Sequence, residues 1–232
     1  MRVAVGTSGF AYKEWKGSFY PADLKDADML RFYGERFAAV EINNTFYCMP
    51  TEKLLTGWAG QVPAGFTFVL KASQRITHQK RLKGTADDVA YFTHTAATLG
   101  PRLGPTLVQL PPNLKKDLPR LEEFLATLPD GWRAAFEFRH ASWYDDDVYA
   151  ALRARNQALC AADTDDGEGR VVATADWGYL RLRREAYEKA DLTAWAERVT
   201  SQPWREAFVF FKHEEAGAGP ALAAQFTGAL AR

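Results

Sequence analysis

Eight short apolar runs, separated by stretches with helical character, are the feature of this sequence that most constrains its fold. Short runs bounded by turn residues favour strands, and strands that alternate with helical segments favour parallel pairing through crossover helices. Eight repeats in 232 residues predict an α/β fold with one domain over residues 1–232, a single (β/α)8 TIM-like barrel, in preference to an open doubly wound sheet. The runs are residues 2–6, 39–42, 66–70, 106–110, 134–138, 158–162, 179–182 and 208–211.

Start signals support helices between the runs. Thr51, Thr85, Asp117 and Asp191 each precede apolar residues at helical spacing, and threonine and aspartate are common N-cap residues. The connection after the sixth run is different, because residues 163–169 are rich in aspartate and glycine and leave no room for a complete crossover helix. We therefore expect the barrel to be irregular between strands 6 and 7.

Composition restricts the classes of partner. The chain is 47% hydrophobic and 25% charged, and 29 basic residues balance 29 acidic ones. A net charge of zero gives no general attraction to nucleic acid or to an anionic membrane, so a nucleic-acid partner is disfavoured. No apolar run reaches the ~18 residues that span a bilayer, and no signal-peptide pattern follows Met1, which predicts a cytoplasmic protein without a membrane partner. The oligomeric state is left open.

Charged side chains concentrate at the predicted carboxyl ends of the strands, where (β/α)8 barrels carry their active sites. Glu41 and Glu137 alternate with apolar neighbours, so each is expected to face the barrel interior or a pocket, and Lys71 follows the third run. Buried charges are costly unless they are paired, which makes such positions informative. We predict Glu41, Glu137 and Lys71 as catalytic residues, with the two carboxylates dividing acid and base roles.

Further residues at these ends predict the ligand. Cations outnumber carboxylates, which favours a small anionic molecule such as a carboxylate or a phosphate, with Arg139 and Arg181 as a bidentate clamp. The aromatic rings, including that of Tyr47, can stack on a sugar or a base. The predicted substrate-binding residues are Tyr12, Trp15, Asn43, Phe46, His78, Gln109, Arg139, His140, Trp143, Asp163, Arg181 and Lys212.

Other interpretations use the same side chains. The charges can form a structural salt-bridge network that closes the mouth of the barrel. Lys71 or Lys212 can act as a Schiff-base nucleophile if its amine is buried and its pKa lowered, but nothing in the local sequence marks either lysine as desolvated.

A metal site is a further alternative. Glu41, Glu137, Asp163 and His213 sit at different strand ends and can converge on a divalent cation. The sequence has no paired-histidine motif, however, and cations crowd the same rim, so no metal site and no cofactor are predicted. The glycines at positions 6 and 9 lack nucleotide-loop spacing and are expected to permit a tight turn at the strand end.

Several blocks along the chain resemble the YecE-like family, also called domain of unknown function 72. They are GTSGF at 6–10, FYP at 19–21, VEINNTFY at 40–47, KA at 71–72, ITH at 76–78, LVQLPP at 107–112 and EFRH at 137–140 followed by SW at 142–143. The resemblance implies a TIM-like barrel and no established activity. Many relatives carry Arg-x-His-Gly where this chain has RLRR at 181–184, and paired asparagines with an aspartate where it has KHE at 212–214, which implies a more cationic pocket here.

Together these features predict an enzyme that acts on a small anionic or sugar-like metabolite by acid–base chemistry. A metabolite-binding or scaffold protein without catalysis is the alternative, because the same charges suffice for binding. A metal-dependent phosphodiesterase or nuclease is a weaker alternative, since it follows from analogy with other barrel enzymes and the zero net charge opposes it.

Overall fold

Eight parallel strands close into a barrel in which each strand pairs with the next along the chain and the last pairs with the first. The structure is a computed structural model that describes residues 1–212 and 217–231, so the features predicted at His213 and Glu214 lie outside it. The predicted (β/α)8 barrel is confirmed, and the open-sheet alternative is wrong. The strands are β1 Arg2–Ser8, β2 Ala39–Ile42, β3 Thr67–Lys71, β4 Leu103–Gln109, β5 Ala134–Glu137, β6 Ala158–Asp163, β7 Trp177–Leu182 and β8 Glu206–Phe211.

Helices cover the outside of the barrel. Two N-caps form as predicted: Thr51 accepts a hydrogen bond from the Leu54 amide at 3.3 Å, and Asp117 accepts one from the Arg120 amide at 3.2 Å. Asp191 was expected before a helix but lies inside one, where it accepts from the Glu188 amide at 2.9 Å. The helices are α1 Met29–Gly34, α2 Asn44–Tyr47, α3 Glu52–Ala59, α4 Ala86–Ala96, α5 Leu118–Thr127, α6 Asp146–Ala154, α7 Lys189–Thr200 and α8 Ala218–Leu230.

The connection from β6 to β7 contains no helix in residues 164–176, all of which the structure describes. A non-helical segment replaces it and is tied to β6 by Thr174, whose hydroxyl accepts from the Leu159 amide at 2.7 Å and donates to the Gln157 carbonyl at 2.8 Å. The predicted irregularity between strands 6 and 7 is therefore present. In the described ranges, no helix is both long and apolar enough to cross a membrane.

Side-chain alternation along the strands builds the barrel interior in layers. Ala39, Val69, Leu107, Ala135 and Tyr179 belong to an apolar cluster inside the barrel. Residues two apart on a strand face the same side. The next interior layer toward the carboxyl ends is therefore polar, and its members are Glu41, Lys71, Gln109, Glu137 and Arg181.

Close approach of β1 and β2 explains Gly6. A Cβ atom at Gly6 would lie 1.9 Å from the carbonyl oxygen of Ala39. The hydroxyl of Tyr33 from α1 donates to the same carbonyl at 3.0 Å and accepts from the Thr7 amide at 2.8 Å. Gly6 is thus required inside a strand and not in a turn, whereas Gly9, with φ of 98°, occupies the predicted turn.

Candidate functional site

Arg181 lies at the centre of the polar layer, with a side chain only 2% exposed. Its Nη2 donates to Glu41 Oε1 at 2.8 Å and its Nη1 donates to Glu137 Oε2 at 2.6 Å. One guanidinium on β7 therefore bridges carboxylates from β2 and β5. Such a bridge offsets the large cost of burying three charges.

The remaining carboxylate oxygens are also occupied. Glu41 Oε2 accepts from the Tyr179 hydroxyl at 2.6 Å, and Glu137 Oε1 accepts from Gln109 Nε2 at 2.8 Å and from Arg139 Nε at 3.2 Å. Burial alone would raise the pKa of Glu137, but Arg181 and Arg139 outweigh burial and hold this pKa at about 2. Glu137 is therefore ionised at neutral pH and is a weak base.

Lys71 extends from the end of β3 into the same layer and is 8% exposed. Its Nζ donates to Gln109 Oε1 at 2.9 Å and lies 4.2 Å from the centroid of the Phe46 ring. Burial, and then the charge of Arg181, lower the pKa of Lys71 to about 8 and outweigh the carboxylates. Of the two cationic side chains in this layer, Lys71 therefore loses its proton more readily than Arg181.

A cavity of about 550 Å³, here called the rim cavity, opens above this layer at the carboxyl ends of the strands. Five cationic side chains line it, and no carboxylate does so in the described parts of the chain. A second cavity of about 650 Å³ adjoins it and shares Arg139 and Arg183. The residues that line the rim cavity are Tyr12, Asn43, Phe46, Tyr47, Lys71, Gln74, His78, Gln109, Arg139, Arg181, Arg183 and Lys212.

His78 is placed on the wall of the rim cavity by a π-helical turn, Arg75–Gln79, that follows β3. Its ring packs edge-on against Phe46 with centroids 4.9 Å apart, and its Nδ1 lies 2.9 Å from the Thr77 hydroxyl. Burial, followed by the charges of Lys71 and Arg139, lowers the pKa of His78. The imidazole is therefore neutral at pH 7.

Most of the predicted site residues meet around the rim cavity, but some do not. Glu41 lies beneath its floor, and Glu137 lines the second cavity. The predicted stacking roles of Trp15 and Trp143 are wrong, because both rings are buried in the core between barrel and helices. Trp143 stacks on Phe138 with centroids 4.7 Å apart and donates from Nε1 to the Leu114 carbonyl at 2.7 Å.

Asp163 and His140 also lie away from the rim cavity. Asp163 is fully buried, 2.9 Å from Arg184 Nε, and accepts from the Tyr187 hydroxyl at 2.8 Å. His140 accepts from the Ser142 amide at 3.2 Å and so caps the turn that carries Trp143. Both side chains hold loops together and do not line either cavity.

The three carboxylates of the metal alternative all form ion pairs with arginine side chains. Glu41 and Glu137 bind Arg181, Asp163 binds Arg184, and His213 lies outside the described residues. Within residues 1–212 and 217–231, no three His, Cys, Asp or Glu side chains cluster as metal ligands. The carboxylates serve guanidinium groups instead.

Two residues that line the rim cavity, Gln74 and Arg183, are absent from the predicted substrate-binding residues, although the run RLRR at 181–184 had implied a more cationic pocket. Arg183 follows Arg181 by two positions, and strand alternation was a usable signal that both face the same side. Burial, and then the charge of Arg181, lower the pKa of Arg183. Gln74 begins the π-helical turn and had no comparable signal.

A closed parallel barrel with a cation-lined cavity at its carboxyl rim defines the class, that of (β/α)8 barrel proteins with a polar rim. Residues 4–232 match the family described as "Protein of unknown function DUF72". The chain belongs to this family.

Relatives and solved structures agree with this assignment. The chain is 33% identical to the UPF0759 protein YecE of Escherichia coli K12 over 116 residues. This alignment covers 50% of the chain and 43% of YecE. It is 23% identical to the UPF0759 protein YunF of Bacillus subtilis, over 92% of this chain and 79% of YunF. The aligned region thus spans less than half of YecE. A crystal structure of a DUF72 family protein from Thermotoga maritima covers both chains completely, with 30% identity and a TM-score of 0.87. One from Enterococcus faecalis, at 19% identity and a TM-score of 0.83, shows the fold alone.

Proposed function

We propose that the protein is an enzyme of small anionic metabolites, which it binds in the rim cavity. The observation that carries this proposal is the lining of the cavity, with five cationic side chains and no carboxylate among the described residues. Arginine and lysine bind carboxylate and phosphate groups through charge-assisted hydrogen bonds. A cavity of about 550 Å³ has the size of a small-molecule site.

Unmatched donors support the same conclusion. Within the described residues, Nε of Arg181 and Nε of Arg183 are buried without a hydrogen-bond acceptor. An unsatisfied buried donor costs about 1–3 kcal/mol. An anion bound at this end of the barrel brings acceptor oxygens and so reduces the excess of hydrogen-bond donors over acceptors.

The two carboxylates act in this proposal as positioning residues and not as the acid and base. Glu41 and Glu137 fix the guanidinium of Arg181, and the pKa of Glu137 is too low for proton transfer at neutral pH. Lys71 takes the chemical role. Burying an amine beside Gln109 without a carboxylate partner is costly and is not needed for binding alone, which favours an enzyme over a scaffold.

Calorimetric titration with inorganic phosphate, sulfate and pyruvate tests the binding. We expect Arg183→Gln to weaken the bound anion about tenfold or more, because a hydrogen bond to a charged group contributes about 1.5–3 kcal/mol. Lys53→Gln is the matched control, since it removes one cation from the exposed face of α3. Failure of all three anions to bind the unaltered chain, or equal loss in both variants, contradicts the proposal.

A further inference from the structure

We propose that Lys71 is a covalent nucleophile that forms a Schiff base with the carbonyl carbon of the bound anion. The substrate class is then small anionic aldehydes and ketones, such as 2-oxo acids and phosphorylated carbonyl compounds. This inference rests on the proposed function, because the cations of the rim cavity must hold the anion while its carbonyl reaches Nζ. It also identifies the reacting atom, which anion binding alone does not.

The first support is the way Lys71 is separated from the nearby carboxylates. Glu41 and Glu137 are bound by Arg181, and the only side-chain oxygen that Nζ meets within hydrogen-bond distance, among the described residues, is the amide oxygen of Gln109 at 2.9 Å. A neutral acceptor does not hold an amine in its ammonium form as a carboxylate does. Arg181 therefore keeps two carboxylates in the layer without a direct ion pair between either of them and Lys71.

The second support is the position of the amine. Lys71 lines the rim cavity but is only 8% exposed, and the Phe46 ring lies 4.2 Å from Nζ. Burial beside a ring and a guanidinium disfavours the charged form, which raises the fraction of neutral amine near physiological pH. Desolvated lysines of this kind are the ones that attack carbonyl groups.

Lys116 provides the contrast within the same chain. Its Nζ lies 2.7 Å from Asp145 and 2.8 Å from Asp147, and these bonds raise its pKa. Lys116 is therefore held as an ammonium ion. The two lysines differ in burial as well as in partners, because burial lowers the pKa of Lys71 and two carboxylates raise that of Lys116.

The proposed step balances without an additional reactant. The lone pair of neutral Nζ forms a bond to the carbonyl carbon, and the C=O π electrons move to oxygen, which takes a proton from nitrogen to give a carbinolamine. The hydroxyl then takes a second proton and leaves as water while nitrogen forms the C=N bond. Counted from the ammonium form of Lys71, the products are a protonated imine and one water molecule.

His78 is placed to carry the protons of this step. It lines the rim cavity with Lys71, and its lowered pKa leaves the imidazole neutral and able to accept a proton. The imidazolium so formed can return that proton to the departing hydroxyl. His78 thus serves the reaction without changing the overall proton count.

Reductive trapping tests the inference. The unaltered chain is incubated with pyruvate, glyoxylate or dihydroxyacetone phosphate, reduced with sodium borohydride and mapped by peptide mass spectrometry. Hydride adds to the imine carbon, so Lys71 gains the mass of the probe less one oxygen atom. At limiting probe, we expect labelling of Lys71 to exceed that of Lys116 on the order of tenfold or more, because each unit of pKa changes the neutral fraction tenfold. Excess sulfate should suppress the adduct by occupying the cavity.

Variants identify the nucleophile. Lys71→Arg keeps the positive charge and removes the nucleophile, so the adduct should disappear while sulfate still binds. Lys116→Arg, at a lysine outside the cavity, should retain the adduct on Lys71. Mapping on the unaltered chain does not require any variant to fold.

The outcomes separate the two proposals. If sulfate or phosphate binds but none of the three carbonyl anions labels Lys71 above Lys116, the Schiff-base inference is wrong and the anion site stands. If no anion binds at all, the proposed function itself is wrong. Labelling that falls mainly on Lys212 also overturns the inference.

Discussion

Removal of Arg181 is expected to destabilise the protein strongly, because two buried carboxylates share it as a partner. Arg181→Met leaves Glu41 and Glu137 buried without their shared cation, and removing one partner of a buried ion pair costs about 3–5 kcal/mol. Urea unfolding measures the loss. The control is Arg198→Met, because Arg198 pairs with Glu168 at the exposed surface and should cost at most ~1 kcal/mol. Similar losses in the two variants would contradict the structural role of the buried network.

Lys71 should give anion binding a pH dependence. Its lowered pKa means that its charge is present below about pH 8 and is lost as the pH rises through this value. We therefore expect sulfate, whose own charge is constant in this range, to bind more weakly above pH 8. Calorimetry across this range measures the change. Lys71→Arg should bind equally on both sides of the transition, and a transition that persists in this variant would assign it to another group.

The sequence predicted that the site residues share a face but not which charges pair. Alternation along β2 and β5 was sufficient to place Glu41 and Glu137 in the interior, because that pattern is local. Their common partner is Arg181, which lies 140 residues from Glu41 and 44 from Glu137. Distances between strands so far apart in sequence depend on barrel closure, so the acid–base assignment could not be checked from spacing. For the same reason, local sequence did not mark Lys71 as desolvated.

At the scale of elements, the glycines of β1 and α3 should respond oppositely to alanine. Gly6→Ala places a Cβ against the Ala39 carbonyl and should separate β1 from β2, with a loss of several kcal/mol. Gly57→Ala lies in helix α3, where a Cβ meets nothing within 4 Å, and should stabilise by about 0.5–1 kcal/mol. Thermal unfolding of both variants distinguishes the two effects. A stable Gly6→Ala protein would contradict the close approach of the strands.

The strands were predictable because their apolar runs are continuous. The predicted bounds are wrong where glycine or proline interrupts a strand. β4 begins at Leu103, three residues before the predicted run, because Gly104 and Pro105 resemble a turn. Gly104 is in the strand because β3 packs closely: a Cβ there would lie 2.6 Å from the Thr67 side chain. Trp15 and Trp143 were assigned to the site because they follow the predicted carboxyl ends of the first and fifth strands. A hydrogen bond to the Leu114 carbonyl and stacking on Phe138 hold Trp143 in the core.

For the whole molecule, Glu137 should contribute to acid sensitivity. Its pKa of about 2 lies below the ordinary value of 4.5, so the folded state binds fewer protons than the unfolded state between these values. The stabilisation is complete above pH 4.5, falls progressively as the pH drops, and is lost as the pH passes through about 2. Linkage makes this contribution on the order of 3 kcal/mol.

Urea unfolding at several pH values between these limits measures this dependence. Glu137→Gln has no titrating carboxyl at this position and should show a shallower fall in stability with acid than the unaltered chain, even though it starts from a lower value. Parallel curves would contradict the assignment of the effect to Glu137.

The bridge made by Arg181 also bears on how the chain is synthesised. Glu41 and Glu137 leave the ribosome before the arginine that neutralises them, so an incomplete barrel has two interior carboxylates and no cation from β7 to compensate them. For a nascent chain that ends before β7, early closure of the barrel therefore adds little stability. Assembly of the anion site therefore waits for the synthesis of β7, which brings Arg181 to the two carboxylates.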